Sequence, residues 1–362
     1  MKKLFLIAFL IVFANFSSAL AAETAWGLAA SAVHEPLKPY KFDLKELDEK
    51  DIQIEILYAG VCHSDIHLVN DEHGAIVEYP YVPGHEIVGR VSKIGKNEKR
   101  FKVGDIVGVG SILNSCGVCE FCKNNLEQYC IEGAEWTGGG YATKIIVNEK
   151  FAVPIPKNIP VESVAPLMCA GITVYSPLKQ LGIKKGDKVA VAGMGGLGHL
   201  AVQYAKAMGA DVTVFEVTDE KISDAQKFGA VDYLNTKKNP QAFENYQNKF
   251  DAIICTIPLK FELQPYIDTL KSLGTIVILG MPPLGENIFN FDSHILTSGG
   301  KRIIGSSIGG MAETEEMVNF SAKHKIFPAV EIISADKINE AFQKVKFGEV
   351  KFRYVIDAKT IK

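Results

Sequence analysis

Apolar and polar residues alternate in short runs through much of the first half of the chain. Ile52, Ile54 and Ile56 alternate with polar residues, and similar short runs, interrupted by glycine and proline, continue to about residue 155. An apolar side chain at every second position places those side chains on one face of an extended strand. The segment from about 50 to 155 is therefore predicted to be rich in β-strands.

The pattern changes near Gly182, where strands alternate with helices. The apolar run 188–192 predicts a strand, a glycine turn follows, and apolar residues then recur at helical spacing from Leu197 to Met208 until Gly209 ends the helix. Further apolar strands are predicted at 212–216, 252–254 and 275–279. Strands that alternate with helices predict an α/β fold with a doubly wound parallel sheet.

The last part of the chain returns to a mixed pattern. Beyond Gly309 the spacing predicts two amphipathic helices and then a closing strand at 352–356. With 362 residues, the chain is long enough for two domains that each bury a core.

Composition and charge narrow the classes of function. Hydrophobic residues make up 47% and charged residues 22%, as in ordinary soluble globular proteins. The formal net charge is −3, and acidic and basic residues are interspersed. No electropositive face is predicted, which argues against nucleic acid or an anionic membrane as a partner.

The first 21 residues have the pattern of a secretory signal. Lys2 and Lys3 precede an apolar run from Leu4 to Phe13, and small residues follow up to Ala21. We predict cleavage after Ala21 and export to the periplasm or the medium. No later stretch is expected to reach the roughly 18 apolar residues of a membrane span, so the mature protein is predicted to be soluble. The alternative is a retained tail or a misplaced start, which leaves the protein in the cytoplasm.

Four of the seven cysteines form one compact motif. Cys116, Cys119, Cys122 and Cys130 have the spacing C-x-x-C-x-x-C-x7-C. Two-residue gaps let thiolates converge on one tetrahedral ion, and four thiolates leave no open position, so we predict a structural zinc site. Two disulfides are the alternative, which an exported protein would favour.

A second metal site is suggested by residues that are far apart in the sequence. Cys62, His85 and Cys169 would supply two thiolates and one imidazole, which leaves a fourth position on zinc open, as in catalytic sites. Residues near Cys62 and His85 fit this reading, because Asp65 could accept the second ring N–H of His85. Ser64 and His67 could carry a proton outward from the site.

A glycine motif predicts a dinucleotide site. It reads Gly193-Met194-Gly195-Gly196-Leu197-Gly198, follows a predicted strand and opens a predicted helix. This context lets a pyrophosphate sit on the free N–H groups of the helix. Glu216, 18 residues past the last glycine, favours NAD because a carboxylate there bonds ribose hydroxyls and repels the extra phosphate of NADP. Thr218 and Lys221 keep NADP as the alternative.

Together these motifs identify a family resemblance. The chain resembles the zinc-dependent medium-chain alcohol dehydrogenases, most closely their cinnamyl alcohol dehydrogenase-like branch, over essentially all of the chain after the signal. The motifs that carry the resemblance are residues 62–67, 83–86, 169–175 and 193–199 and the four-cysteine motif. The resemblance implies a GroES-like catalytic domain from 22–170 and 307–362, with an NAD(P)-binding Rossmann domain from 171–306 inserted and the active site between them.

The resemblance also implies roles for single residues. Cys62, His85 and Cys169 would bind a catalytic zinc, with Glu86 close enough to enter its shell, and the four-cysteine motif would bind a second zinc. Ser64 and His67 would form the proton relay. Cofactor residues would be His63 and Arg353 at the phosphates and Thr173, Thr256, Gly280 and Ser307 at the nicotinamide end. Trp136 would wall the substrate pocket, and the protein would be a homodimer.

The function predicted is hydride transfer between a small primary alcohol, aromatic or allylic, and NAD(P). An exported binding protein that keeps the scaffold without catalysis is the alternative, and turnover would distinguish the two. The sequence departs from the branch in its signal peptide, in a short segment between Cys130 and Tyr141, and at Glu216, where NADP-preferring relatives have small hydroxyl residues.

Overall fold

Residues 23–72, 74, 77–286 and 288–362 are described by a computed structural model of the protein. The predicted signal, residues 1–21, lies outside the described residues. The strands are β1 (Thr24–Ala29), β2 (Lys38–Asp43), β3 (Asp51–Gly60), β4 (Ile87–Ile94), β5 (Ile106–Val109), β6 (Ile112–Asn114), β7 (Glu135–Trp136), β8 (Lys144–Asn148), β9 (Ala152–Pro154), β10 (Lys188–Ala192), β11 (Asp211–Glu216), β12 (Asp232–Asn235), β13 (Phe250–Cys255), β14 (Leu270–Ile278), β15 (Arg302–Gly305), β16 (Val330–Ile333) and β17 (Arg353–Asp357). The helices are α1 (His63–Val69), α2 (Glu120–Lys123), α3 (Val164–Pro166), α4 (Ile172–Gln180), α5 (Gly198–Ala207), α6 (Ile222–Phe228), α7 (Gln264–Thr269), α8 (His294–Gly299), α9 (Met311–His324) and α10 (Ile338–Lys346).

The predicted parallel sheet is present with the order β12-β11-β10-β13-β14-β15. Every neighbouring pair in this order is parallel, and Val189 on β10 pairs with Val212 on β11 and with Ala252 on β13. Consecutive buried valines and isoleucines form these strands because helices cover both faces of the sheet. The strand order reverses direction between β10 and β13, and a crevice that binds ligands forms at the carboxyl ends beside such a switch. The predicted α/β fold class is confirmed.

The second large sheet is built from both ends of the chain. Its order is β16-β17-β3-β4-β5-β9, and β8 also pairs with β3. The strand β17 near the C-terminus runs antiparallel to β3, with Val355 opposite Gly60. The GroES-like part therefore contains segments before and after the parallel sheet, as the resemblance implies. The exact domain boundaries stay a prediction, because a continuous helical run, Val161–Gln180, crosses the boundary expected at residue 170.

That helical run corrects one expectation. Among the described residues, Val161–Gln180 alone is long and apolar enough to cross a membrane by length and composition, whereas no such stretch was expected from the sequence. Most of the run is buried inside the protein, and Leu167 and Leu178 are fully buried. A helix in the core of a protein is apolar on nearly all sides, because it contacts other elements rather than water.

Candidate active site

The loop after β3 and the start of α1 deliver the first members of a buried cluster. Cys62 precedes α1, and its N–H donates to Asp65 Oδ2 at 3.2 Å, which closes the first turn of the helix. His85 and Glu86 lie just before β4, and Cys169 lies in the helical run ahead of α4. One ligand atom from each of the four residues Cys62, His85, Glu86 and Cys169 lies within 4.8 Å of the others. The fold thus brings together residues separated by up to 107 positions in the sequence.

Asp65 is the polar centre of this region and is fully buried. Oδ1 accepts from His85 Nδ1 at 2.8 Å, the contact predicted from the sequence, and also from Gly84 N at 3.0 Å. Oδ2 accepts from Tyr141 O–H at 2.7 Å and from the Cys62 amide. A proton on Nδ1 leaves Nε2 of His85 with a free lone pair for a metal ion.

Electrostatics in the cluster favours one thiolate. A hydrogen bond from Cys169 and the charge of His85 hold the pKa of Cys62 well below its ordinary value, although burial opposes them. The pKa of Cys169 is raised by that same hydrogen bond and by burial. Burial alone would lower the pKa of His85, but the negative charges of Asp65, Cys169 and Cys62 raise it well above its ordinary value. Two cysteine sulfurs and an imidazole held together in a buried site are a donor set that zinc prefers.

Glu86 completes the cluster, and its hydrogen bonding indicates whether a metal ion fits the site. Its Oε2 accepts from Arg353 Nη2, whereas its Oε1 is buried and has no hydrogen-bond partner within the described part of the chain. Burial raises the pKa of Glu86 to about 8 although Arg353 lowers it. A Cβ on Gly60 would lie 2.0 Å from Glu86 Oε2, so only glycine fits there. A buried oxygen without a partner, beside two sulfurs and an imidazole, fits a divalent cation such as zinc.

The four-cysteine motif also fits a metal ion. The sulfur atoms of Cys116, Cys119, Cys122 and Cys130 all lie within 4.8 Å of one another, and those of Cys116 and Cys122 are 3.8 Å apart. Tetrahedral Zn–S bonds of about 2.3 Å place two sulfurs about 3.8 Å apart, whereas a disulfide needs about 2.05 Å. The Cys122 amide donates to the sulfur of Cys119 and lowers its pKa to about 6. The geometry favours zinc over two disulfides.

The proposed relay residues lie one helical turn apart. Ser64 and His67 are both on α1, and the ring of His67 stacks on His63 with centroids 4.7 Å apart. His67 Nδ1 lies 2.5 Å from Glu72 Oε2, and Lys346 Nζ lies 3.4 Å from the other oxygen of Glu72. The side chain of His67 is therefore held in place by an acid that sequence reasoning missed.

The glycine motif forms the turn between β10 and α5. Gly193 has φ of 88°, and a Cβ on Gly198 would lie 1.8 Å from Gly193 O, so both positions require glycine. Thr256 Oγ1 donates to Gly193 O at 3.1 Å and closes the turn from the neighbouring strand. At the start of α5 the amides of His199 and Ala201 donate to the carbonyls of Gly195 and Leu197. The positive end of the helix dipole still favours a phosphate beside this turn.

Glu216 lies at the carboxyl end of β11 beside this turn. Its Oε2 accepts from Met194 N at 2.7 Å, and Lys221 Nζ lies 3.6 Å from the same oxygen. Thr218 Oγ1 accepts instead from Glu220 N, so it caps its own turn. The carboxylate of Glu216 therefore belongs to the wall of the glycine turn.

The remaining residues predicted to contact cofactor or substrate lie on several different elements. Arg353 reaches the glycine motif as well as Glu86, because a Cβ on Gly196 would lie 2.8 Å from its Cδ. Thr173 is on α4, four residues after Cys169. Gly280 packs closely on the backbone, since a Cβ there would lie 1.9 Å from Ile257 O. Ser307 follows β15 and is exposed, as is Trp136 on β7. Their roles toward cofactor and substrate stay predictions.

Sequence reasoning missed two residues that position the site. Tyr141 bonds Asp65 from 76 positions away, and Glu72 bonds His67. Tyr141 follows three glycines, and the last of them, Gly140, packs against Gly84. A Cβ on Gly140 would lie 2.5 Å from the carbonyl oxygen of Gly84. The run of three glycines before Tyr141 was the signal in the sequence that pointed to this close approach.

Comparisons with known proteins agree with this architecture. The family model for the alcohol dehydrogenase GroES-like domain matches residues 48–157, and that for the zinc-binding dehydrogenase matches residues 196–323. The chain is 43% identical to alcohol dehydrogenase 9 of Catharanthus roseus, with 93% of this chain and 96% of that protein covered. It is 41% identical to NADP-dependent alcohol dehydrogenase C 1 of Mycolicibacterium smegmatis, with 94% and 99% covered. The crystal structure of a cinnamyl alcohol dehydrogenase from Helicobacter pylori with NADP(H) matches with a TM-score of 0.88 and 40% identity, covering 94% of this chain and all of that one.

Proposed function

The chain belongs to the cinnamyl alcohol dehydrogenase-like branch of the zinc-dependent medium-chain alcohol dehydrogenases, and on that premise we propose that it exchanges hydride between a primary aromatic or allylic alcohol and NAD. It is an NAD(P)-dependent alcohol oxidoreductase. The observation that carries the finer proposal is the buried cluster of Cys62, His85, Cys169 and Glu86 beside the glycine motif. Relatives named for cinnamyl alcohol and 8-hydroxygeraniol support the substrate class. A higher kcat/KM with cinnamyl or benzyl alcohol than with ethanol is the expected result, and a preference for ethanol would contradict it.

We assign two zinc ions to each chain, one in each cluster. A zinc ion at Cys62, His85 and Cys169 would polarise the oxygen of the alcohol or aldehyde. The protein's own part is to orient His85 through Asp65 and to hold the reacting carbon against the nicotinamide, away from water. Native mass spectrometry of the protein from its own organism would count both ions, and a single zinc per chain would contradict the assignment.

The proton of the alcohol leaves through Ser64 and His67 in this proposal. Ser64→Ala is expected to lower kcat about a hundredfold, and His67→Gln less than about tenfold, because solvent can replace the outer group but not the inner one. Steady-state kinetics at saturating NAD checks this. Ser92→Ala is the control, because Ser92 is on β4 and its Oγ bonds Gln53 in the second sheet. Equal small losses in both relay variants would refute the relay.

We propose NAD over NADP because of the charge at Glu216. Its carboxylate would repel a 2′-phosphate, and it pairs with Lys221, whose Nζ lies 3.6 Å from Oε2. We expect kcat/KM to be about tenfold higher with NAD, and Glu216→Gln to reduce that ratio about tenfold, because the amide keeps an acceptor for Met194 N but removes the charge. The exposed Glu220→Gln is the control. A wild-type preference for NADP, which the Mycolicibacterium smegmatis relative is named for, would overturn the proposal.

The protein is proposed to be an exported homodimer. The edge strand β15 ends the parallel sheet, and a second copy could pair with it. Three residues between β14 and α8 are exposed and apolar, and a second copy could also cover them: Met281, Leu284 and Ile288. Cleavage after Ala21 would leave all described residues intact, because β1 begins at Thr24. The same native mass spectrum tests both ideas: an uncleaved chain contradicts export, and a monomeric mass contradicts the dimer.

A further inference from the structure

The four-cysteine motif touches helix α9 through a buried carboxylate that the proposed reaction does not use. Glu127 lies in a single turn, Glu127–Tyr129, directly before Cys130, and is 2% exposed. Its Oε2 accepts from Met311 N at 3.1 Å, 184 positions further along the chain. The Cys130 amide donates to Glu127 O at 3.1 Å. One short turn therefore carries both a metal-binding thiol and this carboxylate.

Helix α9 depends on that carboxylate for its cap. The residue before the helix is Gly310, which has no side chain to accept from the free N–H groups of the first turn. Glu127 supplies the acceptor, and its charge suits the positive end of the helix dipole. A Cβ on Gly310 would lie 1.9 Å from Asn125 O and 2.6 Å from Glu127 Oε2. The segment around the four cysteines thus contacts the start of α9 backbone to backbone.

The segment between β15 and α9 is strained. Ile308 has φ of 38°, a left-handed conformation that a β-branched residue rarely adopts. Such a conformation persists only where neighbouring groups hold it. A Cβ on the next residue, Gly309, would lie 2.7 Å from Ile172 Cδ1, and Ile172 is three residues past Cys169. Ser306 Oγ, at the start of the segment, is buried without a hydrogen-bond partner in the described part of the chain.

We propose that Glu127 is a positioning residue for the cofactor end of the active site. By fixing the start of α9, it holds the strained turn at Ile308 and, through it, Ser306 and Ser307 at the edge of the cleft. The inference rests on the proposed function, which assigns Ser307 to the nicotinamide end. It gives the four-cysteine motif a task beyond local stability: the motif anchors the carboxylate that holds this segment.

The test compares variants of the intact, zinc-loaded protein. Glu127→Ala removes the acceptor, Glu127→Gln keeps an acceptor oxygen, and Glu132→Gln is the control, because Glu132 is exposed two residues past Cys130. We expect the NADH dissociation constant, measured by NADH fluorescence, to rise about tenfold in Glu127→Ala and less in Glu127→Gln. Backbone amides of residues 306–314 should exchange hydrogen faster in both. The KM for alcohol at saturating cofactor should stay unchanged.

Wild-type NADH affinity together with wild-type exchange in residues 306–314 of Glu127→Ala would overturn the proposal. If Glu127→Ala loses zinc or does not fold, the same two measurements on Glu127→Gln decide. Failure of the proposed function is distinguishable, because a wild-type protein without NADH binding or turnover would contradict that function directly. The exchange measurement would still report whether Glu127 holds the segment.

Discussion

Asp65→Asn is expected to lower kcat/KM about a thousandfold while the protein stays folded. The carboxylate accepts four hydrogen bonds at once, two on each oxygen. In asparagine an NH2 group replaces one of the two oxygens, and an NH2 group cannot accept a hydrogen bond. The two groups that donate to that oxygen in the wild type would therefore lose their acceptor and face another donor. The amide also removes the negative charge beside His85 and allows its ring to turn. Groups that orient a metal-binding histidine typically contribute 10- to 100-fold to metal affinity.

The measurements are zinc affinity by competition with a chelator and kcat/KM with a saturating second substrate. Tyr141→Phe removes one of the four donors and is expected to lower zinc affinity and kcat/KM tenfold at most, because the other three contacts still hold Asp65. Asp43→Asn is the matched control, since Asp43 is exposed at the end of β2. Wild-type zinc affinity in Asp65→Asn would show that the carboxylate does not orient the metal site.

The sequence predicted those features whose determinants are close together along the chain. The spacing of Cys116, Cys119 and Cys122 limits where their sulfurs can be, and the structure brings the sulfurs within range of one ion. The glycine motif was predictable because glycines, strand and helix follow one another directly. Asp65 and Cys62 belong to one helical turn, so their contact is local as well.

Among contacts between distant segments, the family motifs predicted the cluster of Cys62, His85 and Cys169, which the structure brings together. The buried ion pairs and caps around it were not predicted. Arg353 was expected at the cofactor phosphates, on the strength of the family resemblance, but its guanidinium also pairs with Glu86, 267 positions away. The contact between Glu127 and Met311 spans 184 positions. Neither pair can be predicted from composition or periodicity, because each joins a residue late in the chain to one in its first half and forms only when the two segments pack together in the fold. Surface charges and buried charges look alike in a sequence, and only the fold decides which are buried.

The buried pair of Arg353 and Glu86 carries the largest expected effect on stability. Arg353→Met is expected to lower the free energy of unfolding by about 3–5 kcal/mol, because it leaves the Glu86 carboxylate buried without its cation. Both side chains are nearly inaccessible to water, so solvent cannot replace the lost partner. Denaturant unfolding of the zinc-loaded protein, followed by tryptophan fluorescence, measures the change. Arg100→Met is the control: Arg100 pairs with Glu315 at 2.6 Å, but both are about one-third exposed, and the expected cost is below about 1 kcal/mol.

A double-mutant cycle with Glu86→Gln separates the pair from the packing of the long side chain. A neutral amide needs no cation, so Arg353→Met should cost much less in the Glu86→Gln background than in the wild type. Additive costs would mean that Arg353 stabilises the fold through its contact with Gly196 and the surrounding core rather than through Glu86. A non-additive result instead identifies Arg353 as the group that lets a carboxylate be buried next to two cysteines and a histidine, and so makes Glu86 available to the metal cluster.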